Sequence, residues 1–70
     1  MTFEEAKEKC LDELEQIEFF SEHDFEAAHD TEDMLYEFVL KQISQGIDRP
    51  SELAEIALQS KAIKFIRWCG

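Results

Sequence analysis

Hydrophobic residues recur at spacings of three and four through the first twenty positions, which predicts an amphipathic α-helix. Thr2 and Glu5 form a capping-box pattern at its start, since the hydroxyl and the carboxylate can each satisfy a free backbone amide. Residues 21 to 24 contain a second start signal, so we expect the first helix to end near Phe19 or Phe20. The predicted buried stripe consists of Phe3, Ala6, Cys10, Leu14 and Ile17.

The middle of the chain carries a wider apolar pattern. We expect a short helix over residues 22 to 29 and a stronger helix from Asp30 or Thr31 to Gln45, with Gly46 as its stop. A helix this apolar either lies at the centre of the fold or is shared with a partner. Its predicted apolar face comprises Met34, Leu35, Phe38, Val39 and Ile43, with Tyr36 and Leu40 extending it around the helix.

The last third begins with a loop, GIDRPSE, and Pro50 or Ser51 then starts another helix. The apolar stripe drifts after this helix, which predicts a break near residues 59 and 60 and a last short helix from Lys61 to Trp68. Two glycines and one proline leave little material for turns. We therefore predict an all-α fold, a compact bundle of three to five short helices, in a single domain spanning residues 1 to 70.

The net charge of −10 is distributed unevenly along the chain. Residues 1 to 37 hold fourteen acidic and two basic side chains, whereas residues 38 to 70 hold three acidic and five basic ones. No lysine or arginine occurs between Lys9 and Lys41. Such a surface opposes direct binding of nucleic acid and of anionic membranes, and it attracts a basic protein surface.

Carboxylates four residues apart stack along one side of a helix, and the acids of the first helix follow this spacing. Aromatic residues such as Phe19 and Phe25 are interleaved with the acids, a combination typical of interfaces. We expect a binding protein that engages a basic partner through a carboxylate-rich helical face, with nucleic-acid mimicry as one form. Small phage inhibitors of host nucleases and bacterial immunity proteins resemble it in size, charge and helical content only. The predicted contact residues are Glu8, Asp12, Glu15, Glu22, Asp24, Glu26, Glu32 and Asp33.

Two alternatives remain open at this stage. In the first, the central helix pairs with its copy in a homodimer, and the acids serve only solubility. In the second, residues 51 to 68 resemble a helix-turn-helix, with Lys61, Lys64 and Arg67 forming a basic stripe on the second helix. This segment lacks the usual glycine of the turn, and the negative net charge opposes its use on DNA.

Catalytic and metal-binding patterns have little support. Cys10 and Cys69 form no metal-binding spacing and are expected to stay reduced in the cytoplasm, although a disulfide between them is conceivable in an oxidising compartment. His23, Glu26 and His29 recur every three residues, but they form no HExxH motif. No nucleophile–base pattern, glycine-rich phosphate loop or membrane-spanning run occurs in the sequence. We therefore expect neither an enzyme nor a cofactor or metal.

Overall fold

A computed structural model describes residues 1–65 and 67, and these residues form a small helical bundle. Helix α1 covers Phe3–His23, α2 covers Phe25–Ser44 and α3 covers Pro50–Leu58, after which Gln59–Ala62 forms a 3-10 turn. The described residues contain no β-strand. The all-α prediction is therefore confirmed, with three α-helices and one short 3-10 turn in the part of the chain that the structure describes.

The junction between α1 and α2 differs from the expectation. Helix α1 starts with the predicted capping box, in which the Thr2 hydroxyl accepts from the Glu5 amide at 3.2 Å and the Glu5 carboxylate accepts from the Thr2 amide at 2.9 Å. The helix then continues to His23, past the predicted end. Ser21 does not cap a new helix, because its hydroxyl donates to the Glu18 carbonyl at 2.6 Å.

Helix α2 is one continuous helix where two were expected. Its N-cap is Asp24, whose carboxylate accepts from the Ala27 amide at 3.2 Å. It ends one residue before the predicted Gln45, and Gly46 terminates it with a φ of 81°. The Gly46 and Ile47 amides donate back to carbonyls of the last helical turn, at 3.0 and 3.1 Å. This pairing is a Schellman motif, which a glycine in the left-handed conformation favours.

The core lies where the three helices meet. The predicted stripe of α1 is buried along its whole length, as is the Leu53 and Ala57 side of α3. On α2, the buried apolar positions are Ala28, Leu35 and Val39, whereas Met34 is 60% exposed. The predicted apolar face of α2 is thus only partly internal, and several of its large side chains face outward.

The segment after α3 differs most from the prediction. The break near residues 59 and 60 is confirmed, but the expected helix from Lys61 onward is not formed in the described residues. The 3-10 turn ends at Ala62, and Ile63 adopts an extended conformation with φ −84° and ψ 121°. Residues 63 to 65 are non-helical, and the predicted end at Trp68 lies outside the described residues. The helix-turn-helix therefore lacks the first half of its second helix.

None of the helices in residues 1–65 and 67 combines the length and the apolar character needed to cross a lipid bilayer.

Candidate protein-binding surfaces

The acidic side of α1 is continuous. Glu8, Asp12 and Glu15 are exposed and lie on the side of the helix opposite its buried stripe. Two shallow surface depressions meet at Asp12: one extends toward Glu8 and the other toward Glu15 and Phe19. We call Glu8, Asp12, Glu15 and Phe19 the α1 acidic face. The structure therefore brings together three of the predicted contact residues.

Phe19 stands at one end of this face with 58% of its surface exposed. Its ring stacks on the His23 ring at 4.3 Å between centroids and meets the Phe20 ring edge-on at 5.6 Å. These neighbours restrict the rotamers of Phe19 without covering it. An aromatic ring that is both held and exposed can fill a pocket on a partner at a low entropic cost.

Other predicted contact residues lie around the α1–α2 turn. Glu22, Asp24 and Glu26 are all exposed there, but Asp24 already accepts a hydrogen bond from the Ala27 amide as the α2 cap.

Asp33 is exposed farther along α2 and lies 3.6 Å from the Nδ1 atom of His29. Together with Asp30 and Glu37, it follows the outer side of α2. These acids form a second row, separate from the α1 acidic face.

Glu32 does not belong to the exposed acids, which corrects its predicted role as a contact residue. It is 3% exposed, and its carboxylate accepts hydrogen bonds from Arg67 Nε at 2.9 Å and Arg67 Nη2 at 3.0 Å. The periodicity of α2 explains this position: Glu32 falls four residues after buried Ala28 and three before buried Leu35. Glu32 therefore lies on the side of α2 that faces the core.

The Glu32 carboxylate is the centre of a polar network. The Ser60 hydroxyl donates to Glu32 Oε2 at 2.6 Å, and the Tyr36 hydroxyl is hydrogen-bonded to Ser60 Oγ. Arg67 Nη2 also donates to the carbonyls of Ser60 and Ile63, at 2.8 and 2.9 Å. The network joins α2, the 3-10 turn and the chain beyond it, and it satisfies a buried charge that would otherwise be very unfavourable.

Three ionisable groups of the network have shifted pKa values, and that of Arg67 is raised chiefly by its hydrogen bonds with Glu32. Burial by itself raises the pKa of Glu32, but the hydrogen bonds from Arg67 and Ser60 and the positive charges of Arg67 and Lys61 outweigh it. The net result is a lowered pKa, so Glu32 is ionised at neutral pH. Burial, together with the neighbouring Glu32 carboxylate, raises the pKa of Tyr36, which keeps its phenol protonated. Both protonation states match the hydrogen bonds observed.

The basic side chains of the described residues leave the α1 acidic face without a counter-ion. Lys9 lies 3.5 Å from Glu13, Arg49 lies between Glu4, Asp48 and Glu52, and Arg67 binds Glu32. In the described chain, no Lys, Arg or His nitrogen comes within 4.0 Å of the Glu8, Asp12 or Glu15 carboxylates. Lys9 lines the same depression as Glu8 and Asp12, but its only ion pair within the described residues is with Glu13.

The histidines of the HDFEAAHD segment have local roles. His23 Nδ1 lies 2.8 Å from the Phe19 carbonyl oxygen, whereas the buried Nδ1 atom of His29 lies 3.6 Å from the Asp33 carboxylate and has no hydrogen-bond partner within the described residues. Among residues 1–65 and 67, no three His, Cys, Asp or Glu side chains are arranged to hold a metal ion. Of the two thiols, Cys10 is buried on the core side of α1, and Cys69 lies outside the described residues.

An apolar groove runs between α2 and α3. Its floor includes Val39 and Ala57, and its edges are Leu40 on α2 and Leu58 on α3. No polar atom contributes to its surface. We call it the α2–α3 groove. Leu58 was not among the predicted surface residues, although it falls outside the Leu53 and Ala57 stripe, a position that predicts exposure.

We found no family model, curated protein or solved structure that matches this chain.

Proposed function

We propose that this chain is a small binding protein that covers a functional surface of a basic protein partner with the α1 acidic face. One observation carries the proposal: Glu8, Asp12 and Glu15 form a continuous exposed row that ends at exposed Phe19 and has no counter-ion within the described residues. A purely solubilising surface has no need of an exposed aromatic ring beside the charges.

The charges and the ring have different parts in this mechanism. The carboxylates attract a basic surface over roughly 8 Å at physiological salt and accelerate the encounter. Phe19 then inserts into the partner and slows dissociation, since buried aromatic side chains supply much of the binding free energy at interfaces. Glu22, Glu26 and Asp33 extend the negative potential around the turn and along α2 and thus enlarge the region of attraction.

Imitation of nucleic acid is the form of this function that the carboxylate spacing favours. Residues four apart on a helix are separated by about 6 Å along its axis. Phosphates along one DNA strand are about 3.4 Å apart in the axial direction, so Glu8 and Asp12, four residues apart, can match alternate phosphates, and Glu15 follows Asp12 at about 4.5 Å along the axis. A nuclease or another nucleic-acid-binding protein is therefore the proposed class of partner.

The proposal is tested by affinity capture with matched charge reversals. The immobilised protein is exposed to a lysate of the cells that produce it, and retained basic proteins are identified by mass spectrometry. The D12K/E15K variant alters the α1 acidic face, and E18K/E52K makes the same charge change at exposed positions elsewhere. We expect the first variant to lose the partner and the second to retain it. Equal capture by all three proteins would refute the proposal.

A further inference from the structure

The α2–α3 groove is a second feature that the proposed contact of the α1 acidic face does not use. It has a volume of about 250 Å³, smaller than the roughly 300–1,000 Å³ typical of pockets that enclose small molecules. It is also open along the length of two helical turns, from Tyr36 to Ile43, which is about 10 Å. These dimensions suit a few side chains of a protein segment better than an enclosed ligand.

The edges of the groove are exposed to an unusual extent for leucines. Leu40 is 67% exposed and Leu58 is 56% exposed, although both adjoin the buried Val39 and Ala57. Nothing else in the described residues covers them. Each exposed leucine contributes apolar surface whose removal from water is favourable by roughly 25 cal/mol per Å². The groove is therefore suited to receive the apolar side of another helix.

The charges next to these leucines indicate what kind of helix fits. Glu37 precedes Leu40 by three residues and Glu55 precedes Leu58 by three, so each leucine has an exposed carboxylate beside it on the helix surface. Neither carboxylate has an ion-pair partner within the described residues. Lys61 does not line the groove, and its Nζ lies 5.7 Å from the centre of the Tyr36 ring.

From this arrangement we infer that the α2–α3 groove binds an amphipathic helix of a partner, apolar on one side and flanked by lysine or arginine. The apolar side chains enter between Leu40 and Leu58, and the basic ones reach Glu37 and Glu55. A second copy of this chain fits less well, because a two-fold interface apposes the same patch of both copies and would bring the acidic rims together. This inference goes beyond the proposed role of the α1 acidic face and does not depend on it.

The experiment uses two synthetic peptides as probes. Both form 18-residue helices with the same leucine stripe at spacings of three and four, but one carries lysine and arginine beside the stripe and the other carries glutamate. Each is titrated into the ¹⁵N-labelled full-length protein. We expect saturable binding of the basic peptide, at least tenfold tighter than that of the acidic peptide, with the largest amide shifts at Leu40, Ile43, Ala54 and Leu58.

Matched variants separate the groove from other exposed apolar residues. Leu40→Gln and Met34→Gln change side chains of similar exposure on the same helix, but only Leu40 lines the groove. We expect the affinity for the basic peptide to fall at least tenfold in L40Q and less than twofold in M34Q. D12K/E15K should keep the same groove shifts, which distinguishes this site from the α1 acidic face.

Three results would overturn the inference. The first is a set of amide shifts spread over the acidic helices, which would show charge attraction without a groove site. The second is equal loss of affinity in L40Q and M34Q. The third is self-association of the free protein through the groove, detected as concentration-dependent shifts at Leu40 and Leu58, which would make a second copy the occupant.

Discussion

Arg67 binds Glu32 across thirty-five residues of sequence, with its Nε atom 2.9 Å and its Nη2 atom 3.0 Å from the two carboxylate oxygens. This two-point pairing is the most directional geometry available to an arginine and a carboxylate. Because Arg67 also donates to two carbonyls of its own segment, the pair fixes the chain after α3 against the middle of α2. The pair thereby helps close a bundle whose third helix has only nine residues.

Arg67→Gln should lower the free energy of unfolding substantially. The substitution leaves the buried Glu32 carboxylate without its cation, which costs roughly 3–5 kcal/mol for fully buried pairs and is expected near the lower end here because Arg67 is partly exposed. Urea unfolding followed by circular dichroism measures the change.

Arg49→Gln is the matched control for this experiment. Arg49 also lies near three carboxylates, those of Glu4, Asp48 and Glu52, but all of these groups are exposed. Exposed pairs contribute about 1 kcal/mol or less, so R49Q should cost much less than R67Q. If both variants lost the same stability, the Glu32–Arg67 pair would have no special structural role.

The same pair predicts a pH dependence of stability. The pKa of Glu32 in the folded protein is below its ordinary value of 4.5, so between these two pH values the unfolded chain binds more protons than the folded one. The stabilisation from Glu32 is therefore complete above pH 4.5 and is lost as the pH falls through the folded pKa. The difference in stability between the wild type and Glu32→Gln should be large at pH 7 and should shrink below pH 4. A constant difference from pH 7 to pH 3 would contradict this assignment.

Two leucines of α2 should respond very differently to truncation. Leu35 is fully buried, and Leu35→Ala should cost about 2–5 kcal/mol because it removes apolar contacts and leaves a cavity. Leu40 is 67% exposed, and Leu40→Ala should change stability by less than about 1 kcal/mol. Thermal and urea unfolding of both variants would test this. A large loss in L40A would show that the groove is more completely covered than the structure indicates.

The Cys10 thiol should be almost unreactive in the folded protein. It is fully buried, and burial, with a smaller effect of the Glu13 carboxylate, raises its pKa. Since the thiolate is the reacting form, both effects slow its modification. In a Cys69→Ser variant, the Ellman's reagent reaction of Cys10 should proceed at the rate of unfolding and accelerate with added urea. Immediate reaction without denaturant would contradict the burial of Cys10.

The sequence was sufficient to predict the helical class and the α1 stripe, but not the helix boundaries between residues 20 and 30. Ser21 and Asp24 are both residues that favour helix starts, and only the structure distinguishes them. The Ser21 hydroxyl donates to the Glu18 carbonyl in the preceding turn, whereas the Asp24 carboxylate caps α2. Local preferences do not decide which residue starts the helix, because side chains of this type can hydrogen-bond either to a preceding carbonyl or to a following amide.

The buried position of Glu32 is a second feature that could not be predicted from the sequence. Its spacing relative to Ala28 and Leu35 places it on the buried side, but an acidic residue is rarely fully buried unless it is paired, and its partner is thirty-five residues away. The sequence places Arg67 in a predicted last helix, Lys61 to Trp68, because the apolar stripe drifts after the preceding helix. The extended backbone at Ile63 depends instead on tertiary packing of Ile63 and Phe65 against the core. Such long-range contacts leave no periodic pattern in the sequence.

The association rate constant of the captured partner is the most direct measure of the central claim, that the α1 acidic face attracts a basic protein. It should be measured by stopped-flow fluorescence for the wild type, D12K/E15K and E18K/E52K, at salt concentrations from about 50 to 200 mM. We predict that the wild-type rate falls steeply with salt, and that D12K/E15K binds at least about tenfold more slowly at low salt with a shallower salt dependence. The E18K/E52K rate should remain close to that of the wild type. Equal rates and equal salt dependence for the two double variants would contradict the claim.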